Sequence, residues 1–310
     1  MALDVAAAST SANRVRALSP CAYAQPSLCR LLQPNGQRLF WRPLNTRARE
    51  GDFVETSDGL FFDVKGLLHP PDKIVAYLRY YPDNRGTRLR DGVRYVKIYD
   101  LSGRRSLLKR KWPQYLYYDE VQGRELQAVP KKNIRNLHSP AQKPIALLRS
   151  RQKDPLEANA IRLIQILSHE SRLPLTSLGI SGSLLVGLHR PGSDIDVVVY
   201  GAEESKDAHS ALLSLLNKDQ CFHRYSVRDL RRLYVGRGLQ QAIAFRDFAE
   251  QERRKVFEGK FMGHDYFFRC VKRWVEITER YGEVRYSPMG RCMISGWVSD
   301  DAESLLTPCT

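Results

Sequence analysis

Two aspartates, Asp194 and Asp196, flank Ile195 and run straight into Val197-Val198-Val199, and no other stretch limits the possible folds so sharply. A β-branched run between Gly192 and Gly201 predicts a short buried strand. Side chains alternate along a strand, so Asp194 and Asp196 project from one face. Carboxylates that close repel one another. A hard divalent cation such as Mg²⁺ relieves the repulsion, commonly together with substrate phosphates. Upstream, Gly182-Ser183 reads as a small-residue turn that lets the backbone approach a phosphate, with the Ser183 hydroxyl as an added donor.

A Gly-Ser turn followed at this distance by Asp-x-Asp on a strand resembles the nucleotidyltransferases of the DNA polymerase β superfamily. More closely, the chain resembles the archaeal predicted nucleotidyltransferases from about residue 51 onward. The likeness runs through Gly51-Asp-Phe-Val-Glu-Thr-Ser-Asp-Gly-Leu-Phe-Phe-Asp63, Gly182-Ser-Leu-Leu-Val-Gly187 and Asp300-Asp-Ala-Glu-Ser-Leu-Leu-Thr-Pro-Cys309. The resemblance implies transfer of a nucleoside monophosphate from a nucleoside triphosphate, ATP among them, to a hydroxyl acceptor with release of pyrophosphate. It places the nucleotide phosphates on Gly182 and Ser183 and two Mg²⁺ ions, or Mn²⁺ in their stead, on Asp194 and Asp196. It also implies a third metal-binding carboxylate on a later strand. Asp265, inside a strand expected over residues 261–272, suits that role. Alternation sets it on a face with Phe267 and Arg269, and a solvated edge-strand aspartate is the competing reading.

The net charge of +15 favours polyanionic partners: a nucleoside triphosphate, and RNA among the acceptors. The arginines are spread widely, as an arginine-rich proteome would also produce. A hydrophobic fraction of 43% with 27% charged residues is that of an ordinary globular protein, here long enough for two cores. No apolar run reaches the roughly 18 to 20 residues that span a bilayer, so no membrane partner is expected. Six cysteines without a Cys-x-x-Cys pair fit a reducing cytoplasm and no zinc site. Walker-type loops, Gly-x-Gly-x-x-Gly and His-Glu-x-x-His are absent, so kinase, dehydrogenase and zinc-protease readings lose their motifs. The rival class is a non-catalytic RNA-binding or scaffold protein that keeps the fold, and the paired aspartates speak against it.

Residues 1–49, with Asp4 their only acid, read as an extension outside the fold. A disordered tail, a mis-assigned start and a transit peptide share that composition. Strand-like runs at 60–64, 73–81 and 95–99, separated by turn residues, predict a β-rich domain over residues 50–140. There Arg104-Arg105 and Lys109-Arg110-Lys111 stand close to Trp112, Tyr115, Tyr117 and Tyr118. Such interleaving suits a single-stranded nucleic acid, or else a core beside a solvated basic face. Residues 135–153, with Pro140 and Pro144, read as a linker. Asp154-Pro155-Leu156-Glu157 then carries the N-cap, first-turn proline and capping acid of a helix. A strand at 178–181 and helices at 205–219, 229–234 and 240–256 complete a nucleotidyltransferase domain over residues 150–275. A short β-containing segment, 276–310, follows, with Asp300-Asp301 as a surface turn. His189, a lone loop histidine near the aspartates, is left out of the site. The expected fold class is α/β, a polymerase β-like mixed sheet flanked by helices behind a β-rich domain.

Overall fold

The computed structural model describes residues 3–8 and 47–309. Strand β1 (Leu3–Ala8) pairs antiparallel with a strand near the other end of the chain, Tyr286–Cys292. The reading of residues 1–49 as lying outside the fold is corrected at β1 and again at Ala48 and Arg49, which are buried. Residues 1–2 and 9–46 lie outside the described residues.

The β-rich domain is an antiparallel sheet of β2 (Phe53–Thr56), β3 (Phe61–Val64), β4 (Lys73–Pro82), β5 (Arg88–Arg90), β6 (Val93–Lys97), β7 (Leu116–Asp119), β8 (Arg124–Pro130) and β9 (Ile134–His138). Its main path runs β5-β6-β4-β3-β2-β9, while β8 pairs with both β4 and β7. In β4 strict alternation sends Ile74, Ala76, Leu78 and Tyr80 inward, the period-2 pattern of a half-buried strand. Helix α1 (Leu101–Lys111) interrupts the strands because the Asp100 side chain accepts from the Ser102 and Gly103 N–H groups. Of the basic-aromatic run only Arg104 and Tyr115 are buried, Trp112 and Tyr117 are half-buried, and Arg105, Lys109, Arg110, Lys111 and Tyr118 are exposed. Tyr115 is buried, its hydroxyl donating to Asp58 at 2.5 Å, and the Arg104 guanidinium donates to the Ile98 carbonyl at 3.1 Å.

The expected linker at 135–153 is instead part of the fold. Ile134–His138 is β9, paired with β2, and Lys143–Arg149 is helix α2. Pro140 and Pro144 each stand in the first turn of a short helical piece, where a missing N–H costs nothing. Helix α3 (Pro155–Ser171) opens with the expected reciprocal Asp154–Glu157 capping box and stops at Arg172 in the left-handed region. Next come β10 (Leu178–Ile180), the single helical turn α4 (Gly182–Leu185), β11 (Ile195–Tyr200) and α5 (Ala202–Lys218). The domain closes with β12 (Phe222–His223), α6 (Val227–Gly236), α7 (Phe245–Arg254), β13 (Glu258–Phe261) and β14 (His264–Val271). The strand expected over 261–272 is thus a hairpin. Met262 and Gly263, both at positive φ, make its two-residue turn.

The second sheet has the order β10-β11-β14-β13-β12, with β11 and β14 parallel and the other pairs antiparallel. Its two faces have different cover. Ile195, Val197 and Val199 of β11, with Tyr266, Phe268 and Cys270 of β14, join the core that includes Leu163 and Leu167 of α3 and Leu212 and Leu215 of α5. The alternate residues Val198, Tyr200 and Val271 pack with Leu67 and Ala141, on the side of the β-rich domain. That domain is fastened here by a cluster of Phe53, Phe61, Tyr80 and Tyr95 with Val186 and Leu188. Ser181 Oγ donates to the Gly51 carbonyl at 2.6 Å, and the Arg88 guanidinium donates to the Leu188 carbonyl. After β14 come β15 (Tyr286–Cys292) and a largely exposed stretch, with Asp300 and Asp301 at the surface just before a turn at residues 302–305 and Leu306 returning to the core beside Cys270. No helix among the described residues is long and apolar enough to cross a membrane.

Candidate active site

Asp194 stands just before β11 and Asp196 is its second residue, so both take the face opposite α3 and α5. At this face β10 runs out. The Ser181 N–H donates to the Asp196 carbonyl at 2.8 Å, and the chain turns at once into α4. Gly182 makes that turn at φ +62°, and a Cβ on it would lie 1.8 Å from Asp196 Oδ2. Only glycine meets both the conformation and the contact. Ser183 follows, 2% exposed, and its Oγ has no hydrogen-bond partner. The sequence-predicted residues Gly182, Ser183 and Asp196 therefore line one cavity of about 50 Å³, which Asp63, Lys97 and Arg269 complete.

Asp196 and Lys97 also line a larger cavity of about 360 Å³, together with Asp194 and Asp265. The floor between the domains is electrically tense. Burial first, and then the neighbouring Asp194 charge, push the Asp196 carboxyl up to about 7, against the pull of Arg269 and Lys97, while Asp63 adds to the push. Asp63 belongs to β3 and its Oδ1 makes no hydrogen bond, with the Arg269 guanidinium 3.8 Å away. Its Oδ2 pairs with Lys65 at 2.9 Å. Arg269 is held at 2.8 Å by Glu50, which also takes Lys65 at 3.0 Å.

Asp265 does lie on the face with Phe267 and Arg269 and does line the larger cavity. Its carboxylate, however, is occupied by Arg232 at 2.6 Å and Lys260 at 2.8 Å. Among the described residues no group of three or more His, Cys, Asp or Glu side chains converges as a metal site. Two cations neutralise Asp265 here, and the expected role as a third metal ligand requires that pairing to open. His189 bonds Asp154, the cap of α3, and stays outside the site. Asp63, Lys97 and Arg269 are what sequence reasoning missed. Asp63 sits in a quoted likeness segment and Arg269 shares the face of Phe267, but nothing local shows that β3 and β6 fold over β11.

Asp194 and Asp196 lie side by side, Asp196 is pressed toward its neutral form, and Ser183 Oγ and Asp63 Oδ1 lack hydrogen bonds. These groups fit a hard divalent ion that takes its remaining ligands from substrate phosphates, and not a closed protein cage.

A glycine turn closed onto a strand aspartate, on a mixed sheet with α3 and α5 packed on its other face, is the architecture of a nucleotidyltransferase. Residues 161–261 match the nucleotidyltransferase domain family. An uncharacterized protein of Methanocaldococcus jannaschii is 30% identical over 268 residues, which cover 82% of this chain and 77% of that protein. The chain belongs to the nucleotidyltransferase superfamily. No solved structure matches it. The family match ends at residue 261, before β14, so Asp265 falls beyond it.

Proposed function

We propose that the chain transfers a nucleoside monophosphate from a nucleoside triphosphate to a hydroxyl acceptor, with RNA as the favoured acceptor. The packing of Gly182 on the Asp196 carboxylate carries this reading, because it sets a glycine turn and the unpartnered Ser183 hydroxyl beside a paired carboxylate in one cavity. Asp194 and Asp196 would hold Mg²⁺, which when bound lowers the pKa of an attacking hydroxyl and offsets charge on the leaving pyrophosphate. Ser183 Oγ donates to a phosphate oxygen, which ends its isolation. Lys97 and Arg269 supply fixed positive charge around the same cavity. The acceptor hydroxyl attacks the α-phosphorus as the bond to the β-phosphate oxygen breaks, and pyrophosphate leaves.

Incubation with α-labelled ATP, CTP, GTP and UTP, Mg²⁺, RNA and protein acceptors tests this. Label should move to an acceptor with matching pyrophosphate release, and chelator should stop it. The rival reading, a polyanion binder that keeps the fold, draws on the paired state of Asp265 and predicts tight RNA retention with no label transferred.

A further inference from the structure

Tyr99 follows β6 and precedes the Asp100 cap of α1, yet 65% of it is exposed and it joins none of the apolar clusters among the described residues. Its ring neighbours are cations: Lys97 Nζ lies 4.7 Å and the Arg79 guanidinium carbon 5.3 Å from the ring centroid. The three are tied together by the sheet, because Lys97 is paired across β4 and the Ile98 N–H donates to the Arg79 carbonyl at 3.0 Å. All three line the 360 Å³ cavity that holds Asp194 and Asp196. Arg79 and Lys97 reach further, into the smaller cavity with Gly182 and Ser183.

We infer that Tyr99 is the base-stacking platform of this cleft, and that Arg79 and Lys97 carry the attached phosphates toward the Gly182-Ser183 turn. The ligand is a nucleoside phosphate, and the inference rests on the nucleotidyl-transfer reading of the site. Every base offers a π-face, and an open tyrosine ring at a cationic cleft mouth suits one. A buried structural tyrosine would be packed by apolar side chains, and a solvated one would not be flanked by the two cations that also border the carboxylates. The platform comes from the β-rich domain, which thus contributes substrate recognition to a site whose carboxylates belong to the other domain.

Calorimetric titration of the full chain, as wild type, Tyr99→Ala, Tyr99→Phe and Lys97→Ala, tests it with three probes in Mg²⁺. These are α,β-methylene nucleoside triphosphates, which cannot transfer, inorganic tripolyphosphate, which has charge and no base, and a short single-stranded RNA. Tyr99→Ala should weaken a base-bearing probe about tenfold, Tyr99→Phe should restore it, and tripolyphosphate should be unaffected except by Lys97→Ala. Whether the nucleotide or the RNA loses affinity tells which of the two stacks on Tyr99. Equal loss for all three probes in Tyr99→Ala, or no loss for either base-bearing probe, overturns the platform and leaves the transfer reading standing. A wild-type chain that binds neither nucleotide nor RNA overturns both.

Discussion

The two faces of β11 are one residue apart in sequence and differ in nearly every physical respect. Ile195, Val197 and Val199 face helices α3 and α5 in a dry core, while Asp194 and Asp196 face a cleft whose far side is built from strands over a hundred residues earlier. The helix face is held by packing alone. The cleft face keeps like charges together, a glycine at positive φ and an unpartnered serine hydroxyl, features that cost stability and make sense as preparation for a ligand. On the proposed reading one face carries the fold and the other the chemistry, so substitutions on each should separate stability from activity.

Gly182→Ala should break the cleft face with the largest effect. The new Cβ must displace the Asp196 carboxylate, so transfer should fall ~100-fold or more, with a stability loss of about 1–3 kcal/mol, read by labelled transfer and urea unfolding. On the opposite face, Leu163→Ala leaves a cavity in the core behind β11 and should cost about 2–4 kcal/mol. The activity of its folded fraction should stay close to wild type. If Leu163→Ala inactivated the folded protein, the separation of the two faces would fail.

A smaller effect concerns pH, and the two regions should titrate with opposite signs. In the β-rich domain His69 uses both ring nitrogens in its neutral form: Nε2–H donates to the Ala48 carbonyl at 3.0 Å and Nδ1 accepts from the Val75 N–H at 3.2 Å. Burial above all, with the Lys131 charge adding to it against the Ala48 bond, lowers its pKa to about 4. The unfolded chain then binds more protons than the folded one between pH ~6.5 and ~4, so stability falls as pH falls through that window. The loss should be up to about 2 kcal/mol, and His69→Gln should flatten it in urea unfolding between pH 7.5 and 4.5. An unchanged slope in His69→Gln would place the acid sensitivity elsewhere.

What could be read in the sequence follows the same division. The capping box of α3, its apolar stripe and the β-branched run of β11 are local signals, and the helix face came out as expected. Gly182, Ser183 and Asp196 were legible because strand, turn and strand are close in sequence. Asp63, Lys97 and Arg269 were not, since their place depends on Phe61 and Tyr80 docking against Val186 and Leu188. Asp265 was placed on the correct face by alternation, but pairing with Arg232 of α6 is a tertiary event that alternation cannot show. Pro140 and Pro144 misled because proline marks a linker and a helix start alike.

If the cleft face holds its paired carboxylates for a cation and a nucleotide, Asp196→Asn should split activity from stability. A carboxyl raised to about 7 holds its proton more tightly folded than unfolded, so metal-free stability should fall as pH rises from about 4 to about 7. Asparagine removes that penalty. Urea unfolding in chelator at pH 8 should therefore show Asp196→Asn more stable than wild type by about 1–2 kcal/mol, with the gain fading toward pH 4. The same protein should show no transfer from labelled nucleoside triphosphates with Mg²⁺. Near-normal, Mg²⁺-dependent transfer by Asp196→Asn would contradict the account.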